Sequence, residues 1–266
     1  MTVAQALASC GLDAREARLL LAAACGFSQA SVLAHPERVL ASEAESAFLD
    51  AAARRRAGEP VAYILGRREF YGLPLAVNPA VLIPRPETEL LVELALASNP
   101  RSILDLGTGS GAIALALKRN RPQARVVAVE SNEAALALAR RNALKLNLEV
   151  EFHHGQWFGP VAGERFDLVV SNPPYVASGD PHLAQGDLRF EPPSALVAGT
   201  DGLDAIRAIV GDAGGHLLPG GSLLLEHGAG QDCSVRELMA AAGLEAIETW
   251  PDLAGIARAT AGKVKS

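Results

Sequence analysis

The chain has 266 residues, 49% of them apolar and 20% charged, with a net charge of −6. That balance supports a sizeable core, argues against disorder, and denies the broad positive surface that duplex nucleic acid demands. Cys10, Cys25 and Cys233 lack C-x-x-C spacing and read as reduced packing thiols of a cytoplasmic protein. Asp13, Arg15, Glu16 and Arg18 interrupt any leader-like apolar stretch, and no window reads as a membrane span.

Residues 1–58 are rich in Ala, Leu, Glu and Arg and predict four or five short helices, with starts at Asp13, Ser28 and Ser42. Ser42-Glu43-Ala44-Glu45 fits a capping box. Arg54-Arg55-Arg56 reads as a solvated helix end beside a favourable C-terminal dipole. Two short strands, near 69–72 and 75–79, flank a Gly-Leu-Pro turn and predict a hairpin between two domains. Pro86 suits the first turn of the next helix, with Glu87 and Glu89 near its positive end.

From residue 102 onward strands and helices alternate. Strands are expected at 102–106, 125–129, 149–152, 166–170 and 222–226, and helices at 112–120, 132–145, 203–211 and 233–242. The segments 245–249 and 256–260 can close the chain as an antiparallel pair. The alternation predicts an α/β fold, a mostly parallel sheet with helices on both faces. The expected organisation is a helical domain at 1–66, a β-hairpin linker at 67–86 and an α/β domain at 87–266.

Asp105-Leu106-Gly107-Thr108-Gly109-Ser110-Gly111 falls between the first of these strands and its helix. Glycines there let the backbone turn sharply and approach a ligand. No Lys-Ser/Thr follows, so this is no P-loop, and G-x-G-x-G departs from the dinucleotide G-x-G-x-x-G spacing. Glu130 ends the next strand, where a carboxylate can accept both hydroxyls of a ribose. Loop and acid together point to an adenosine-containing ligand, a nicotinamide cofactor or S-adenosylmethionine. Gly155-Gln156-Trp157-Phe158 follows the third strand. Trp157 or Phe158 can cover an adenine face, and Gln156 can accept from its amino group; ordinary core packing is the other reading for Trp157. His153 and His154 are adjacent and point to opposite faces of a strand, so no metal site is expected.

Ser171-Asn172-Pro173-Pro174-Tyr175 closes the fourth strand. The two prolines remove two backbone donors and leave carbonyls as free acceptors, and Pro173 pushes Asn172 toward an extended backbone. The loop offers acceptors beside a flat apolar surface. That suits a planar NH2 group, either a carboxamide or the exocyclic amine of a base. A plain turn is the alternative.

Together these segments resemble the amino-methyltransferases of the class I methyltransferase fold. Arg67-Arg68-Glu69-Phe70-Tyr71, Leu82-Ile83-Pro84-Arg85-Pro86-Glu87-Thr88, Asp187-Leu188-Arg189-Phe190-Glu191-Pro192 and Leu224-Leu225-Glu226-His227-Gly228 are similar to segments of the HemK/PrmC-type glutamine methyltransferases that act on peptide chain release factors. The resemblance implies a Rossmann-like, mostly parallel seven-stranded sheet. It implies methyl transfer from S-adenosylmethionine to the glutamine side-chain nitrogen of a Gly-Gly-Gln loop. It places Gly107, Thr108, Gly109, Ser110, Gly111, Glu130, Trp157 and Asn172 at the cofactor, and Asn172, Pro173, Pro174 and Tyr175 at the substrate. Asn172 and Pro173 carry the catalytic roles. Gln156 departs from the Asp common in the family. A release factor is the expected partner of a cytoplasmic monomer, with no membrane and no direct nucleic-acid contact. Methylation of adenine or cytosine in nucleic acid is the alternative reaction.

Overall fold

Three side chains start the first three helices in the computed structural model, which describes residues 1–265. Thr2 caps α1 (Val3–Ser9), Asp13 caps α2 (Ala14–Cys25) and Ser28 caps α3 (Gln29–Ala34), each accepting a backbone N–H. The next helix, α4 (Ser42–Arg56), starts differently. Ala41 precedes it and no side chain caps it. The Glu45 carboxylate, expected to close a capping box with Ser42, pairs with the amino terminus of Met1 instead. The reciprocal box forms at Thr2 and Gln5. The series ends with α5 (Val61–Leu65).

These helices form one compact unit, Met1–Arg67, which also includes the segment His182–Phe190. Its core gathers Leu20, Leu21, Val32 and the fully buried Phe48. The three arginines expected to be solvated are anchored instead, because the last turn of α4 faces carboxylates and open carbonyls. Arg54 pairs with Glu59, and Arg56 donates to the Cys10 carbonyl. Arg55 holds both Glu16 and Asp187 at 2.9 Å. Arg189 donates to the Ala57 carbonyl, and its guanidinium fills the space beside Gly58 (φ +96°); a Cβ on Gly58 would lie 1.7 Å from it.

The second unit, Arg68–Pro181 with residues 191–265, holds the α/β sheet. Ahead of the sheet, β1 (Arg67–Phe70) and β2 (Leu73–Ala76) form the expected hairpin. Its turn is Tyr71-Gly72 and not Gly-Leu-Pro. Both turn residues have positive φ, the geometry whose twist matches two-residue hairpins. Pro74 lies within β2 with its side exposed while Leu73 and Leu75 are buried. Pro86–Thr88 make a 3-10 turn that leads into α6 (Glu89–Ala97).

Strands and helices then alternate: β3 (Ser102–Leu106), α7 (Ala112–Asn120), β4 (Arg125–Glu130), α8 (Glu133–Leu146), β5 (Glu151–His154), β6 (Phe166–Ser171), α9 (Asp204–His216), β7 (Leu217–Glu226), α10 (Asp232–Ala241), β8 (Glu245–Pro251) and β9 (Ala257–Lys263). Among the described residues they build a seven-stranded sheet of order β5-β4-β3-β6-β7-β9-β8, in which β9 runs opposite to the other six strands. β5 begins two residues later than expected, and α9 and β7 are longer.

Apolar residues alternate between the two faces of the sheet. Ile103, Val126, Ala128, Leu168 and Val170 pack under α6 and α7, whereas Leu104, Leu106, Val127, Val129 and Val169 pack under α9 and α10. A parallel sheet covered on both sides needs such nearly continuous apolar strands. The chain reverses its winding between β3 and β6, which are paired in register from Ile103↔Leu168 to Leu106↔Ser171. Loops leaving the carboxyl ends of strands at such a reversal diverge and open a crevice.

Candidate active site

The crevice is a cleft of about 560 Å³, within the range that small-molecule sites occupy. Gly107, Thr108, Gly109 and Ser110 form one wall, Glu130 another, and Gln156, Trp157, Asn172 and Pro174 line it from the loops after β5 and β6. Thr88 and Arg85 reach it from the segment before α6.

The glycine loop is held from below. Gly107 and Gly109 have φ of +69° and +57°, conformations that suit glycine. The amides of Gly107 and Thr108 donate to the Val129 carbonyl, which ties the loop to the neighbouring strand. Gly111 does not line the cleft. It precedes α7 with φ +85°, and a Cβ there would press within 3.0 Å of Leu115.

Asp105 organises this turn. Its Oδ2 accepts from the Thr108 hydroxyl at 2.6 Å and from the Ala114 amide at 3.2 Å, while buried Oδ1 has no partner. Burial pushes its carboxyl up to about 7 against the opposing pull of those two hydrogen bonds, with the Glu130 charge adding to the rise. Asn142 on α8 braces the loop from the other side. Its Nδ2 donates to the Ser110 carbonyl at 2.9 Å and to the Ala76 carbonyl at 3.0 Å.

Glu130 is 8% exposed at the end of β4. Its Oε2 accepts from the Gly109 amide at 2.9 Å and its Oε1 from the Asn132 amide at 2.8 Å. A carboxylate has about four acceptor sites, so this anchoring fixes its orientation and leaves capacity for hydroxyls in the cleft. Trp157 lies at φ +46°, the left-handed region that a bulky side chain seldom adopts. That backbone brings its ring against the glycine loop, 3.7 Å from where a Gly107 Cβ would stand. Phe158 turns away into the core and stacks on His216, ring centres 4.4 Å apart. Gln156 is exposed at the cleft.

The loop after β6 presents a carboxamide. Ser171 is buried, and its hydroxyl donates to the Leu106 carbonyl at 2.7 Å. Asn172 Nδ2 donates to Thr88 Oγ1 at 3.0 Å, which leaves Oδ1 as the remaining acceptor of a residue that lines the cleft. Pro173 is buried, and neither it nor Tyr175 belongs to the lining. The Tyr175 hydroxyl donates to Glu226 Oε1 at 3.1 Å. Burial beside that carboxylate drives the phenol well above its ordinary range.

Three groups escaped the sequence-based choice of site residues: Thr88, Glu226 and Asn142. Thr88 and Glu226 do lie in segments quoted for the resemblance, and Glu226 ends an apolar strand as Glu130 does. Arg85 and Glu191, from two other such segments, form an ion pair at 2.6 Å with Glu191 3% exposed. Ser194 and Ala195, shortly after Glu191 in the chain, also line the cleft.

A doubly wound sheet with a glycine loop, a strand-end acid and an Asn-Pro-Pro-Tyr loop defines a class I methyltransferase. Comparison with known proteins agrees. Residues 2–66 match the PrmC N-terminal domain, and residues 86–187 match the Methyltransferase small domain. A Release factor glutamine methyltransferase of Pseudomonas aeruginosa is 54% identical over 93% of this chain and 91% of its own length. That of Burkholderia pseudomallei is 49% identical over 99% and 96%. The chain belongs to the release factor glutamine methyltransferase family. Among solved structures, the T. thermophilus 16S rRNA N2 G1207 methyltransferase, in complex with AdoMet and guanosine, shares the fold. It has a TM-score of 0.57 at 23% identity and covers 75% of this chain and 50% of that one.

S-adenosylmethionine fits the residues present. The glycine loop has open space on its cleft side, since a Cβ at Gly109 would meet nothing within 4 Å. The anchored Glu130 carboxylate suits a ribose, and the Trp157 ring supplies an apolar surface.

Proposed function

We propose that Asn172 and Pro173 hold the side-chain amide of the glutamine in a release factor's Gly-Gly-Gln motif while its nitrogen is methylated. The observation that carries this reading is the Asn172 carboxamide, tied through Nδ2 to Thr88 so that its oxygen is the group left for a ligand. When bound, S-adenosylmethionine supplies a methyl group activated by a positively charged sulfur leaving group. Gly107, Thr108, Gly109 and Ser110, with Glu130 and Trp157, hold it.

An amide nitrogen is a poor nucleophile because its lone pair is delocalised, so the protein's share is alignment and charge. Asn172 Oδ1 accepts one N–H of the glutamine, and the Pro173 carbonyl accepts the other. Two acceptors fix the NH2 plane and stabilise positive charge as it grows on nitrogen. Tyr175, whose hydroxyl donates to Glu226, braces the loop that carries Asn172 and Pro173. The alkylated nitrogen is acidic and loses its proton after transfer, so no strong base is required.

The helical unit, which matches the PrmC N-terminal domain, docks the protein substrate. The enzyme works as a monomer in the cytoplasm. That setting accords with its free cysteines and with the lack, among the described residues, of a helix long and apolar enough to cross a membrane. Labelled methyl donor offered with whole release factor, a short Gly-Gly-Gln peptide and single-stranded DNA tests the reading. Label on the glutamine, with whole factor preferred over peptide, supports it; label on DNA alone rejects it in favour of exocyclic-amine methylation.

A further inference from the structure

Pro173 and Pro174 have no N–H, so the loop after β6 cannot donate to its neighbours over these two residues. It is held from its ends. Asn172 is tied at one end by Thr88. At the other end the Tyr175 hydroxyl reaches Glu226, and the Tyr175 carbonyl accepts from Gln231 Nε2 at 3.0 Å. Glu226 ends β7, and Gln231 stands immediately before α10.

The Gln231 amide is engaged on both sides. Its Oε1 accepts from the Gly228 amide at 2.8 Å, and its Nε2 also lies 3.5 Å from the Gly202 carbonyl. A backbone N–H only donates and a carbonyl only accepts, so these partners allow one orientation of the carboxamide. Three loops meet tightly around it. A Cβ on Gly202, at φ +76°, would stand 2.3 Å from the Tyr175 carbonyl oxygen, and one on Gly228 would stand 2.9 Å from Gln231 Oε1. Gln231 itself does not line the cleft.

We propose that Gln231 is a positioning residue for methyl transfer: its amide clasps the Tyr175 carbonyl to the start of α10 and so fixes the Asn172 and Pro173 acceptors just upstream. This rests on the reading of those two residues given above. With the clasp open, a loop built on two prolines loses a fixed point, and the substrate NH2 meets acceptors that are out of place. Such misplacement costs turnover more than affinity, because alignment matters most as the methyl group is transferred.

The test measures kcat and KM for whole release factor, and cofactor affinity by calorimetry, in Gln231→Met, Gln231→Glu and Asn172→Ala. Gln231→Met keeps the length of the side chain and removes both of its short hydrogen bonds. Gln231→Glu keeps an acceptor for Gly228 but sets a second acceptor against the Tyr175 carbonyl. Each loses about 10-fold in kcat, the scale of one hydrogen bond, with KM and cofactor affinity near wild type. Wild-type kcat in either variant overturns the clasp. So does a loss of cofactor affinity in both that matches the loss of turnover, since Gln231 is then a general support of the fold. If Gln231→Met alone fails to bind cofactor, Gln231→Glu decides by the same readings. Wild-type turnover in Asn172→Ala instead sinks the reading on which the clasp rests.

Discussion

Asn142 and Ala76 form a two-way amide pair, with Oδ1 accepting from the Ala76 N–H at 2.8 Å and Nδ2 donating to its carbonyl at 3.0 Å. The same Nδ2 reaches the Ser110 carbonyl, so one buried side chain on α8 joins the hairpin to the glycine loop. Replacing Asn142 by Ala leaves three backbone groups without these partners. We expect a loss of about 2–4 kcal/mol in denaturant unfolding and weaker cofactor binding. Unchanged stability would show that the pair is not a brace.

Glu130→Ala removes an acceptor from both the Gly109 amide and the ligand. The expected result is a cofactor dissociation constant raised about 10- to 100-fold, the usual scale for hydrogen bonds to a charged group. At saturating cofactor, kcat stays near the wild-type value. Isothermal calorimetry separates the two quantities, and an unaltered dissociation constant would reject a ribose role for Glu130.

Asn172→Ala should behave in the opposite way. Loss of a group that stabilises developing charge typically lowers kcat by roughly 100- to 1,000-fold, and cofactor binding should be partly retained. Single-turnover methylation of whole release factor measures the first effect and calorimetry the second.

Asp105 and Glu226 make stability depend on pH. Burial raises both carboxyls to about 7, so the folded protein holds their protons more tightly than the unfolded chain does. Their contribution is full below the unfolded values near 4 and disappears as pH rises through about 7. The thermal midpoint should therefore fall between about pH 4 and pH 7, the window these values define. Asp105→Asn should flatten that slope, and adding Glu226→Gln should flatten it further. Thermal scans at fixed ionic strength that show the wild-type slope in both variants would exclude these two groups as its cause.

The order of strands and helices was legible because a sheet buried on both faces requires apolar strands, and glycines mark its ligand loop. The second strand and its closing Glu130 came from the same pattern. Turns were less legible. Tyr71-Gly72 closes the hairpin although Tyr is not a residue that announces positive φ, and Glu45 found a partner 44 positions away at the amino terminus rather than at Ser42. Asn142 carried no local signal at all, since its three partners come from a strand and a loop distant in sequence. Segment His182–Phe190 was assigned by contiguity to the α/β domain, and only the positions of Asp187 and Arg189 beside α4 reveal where it packs.

That nine-residue excursion has a practical side. A gene fragment cut after the last residue of the helical match would encode α1 to α5 but omit the peptide that supplies Asp187 to Arg55 and the Arg189 guanidinium to the hollow over Gly58. Anyone wishing to study the helices in isolation must graft those residues back, by linker or in trans, because the unit is assembled from two separate stretches of the chain.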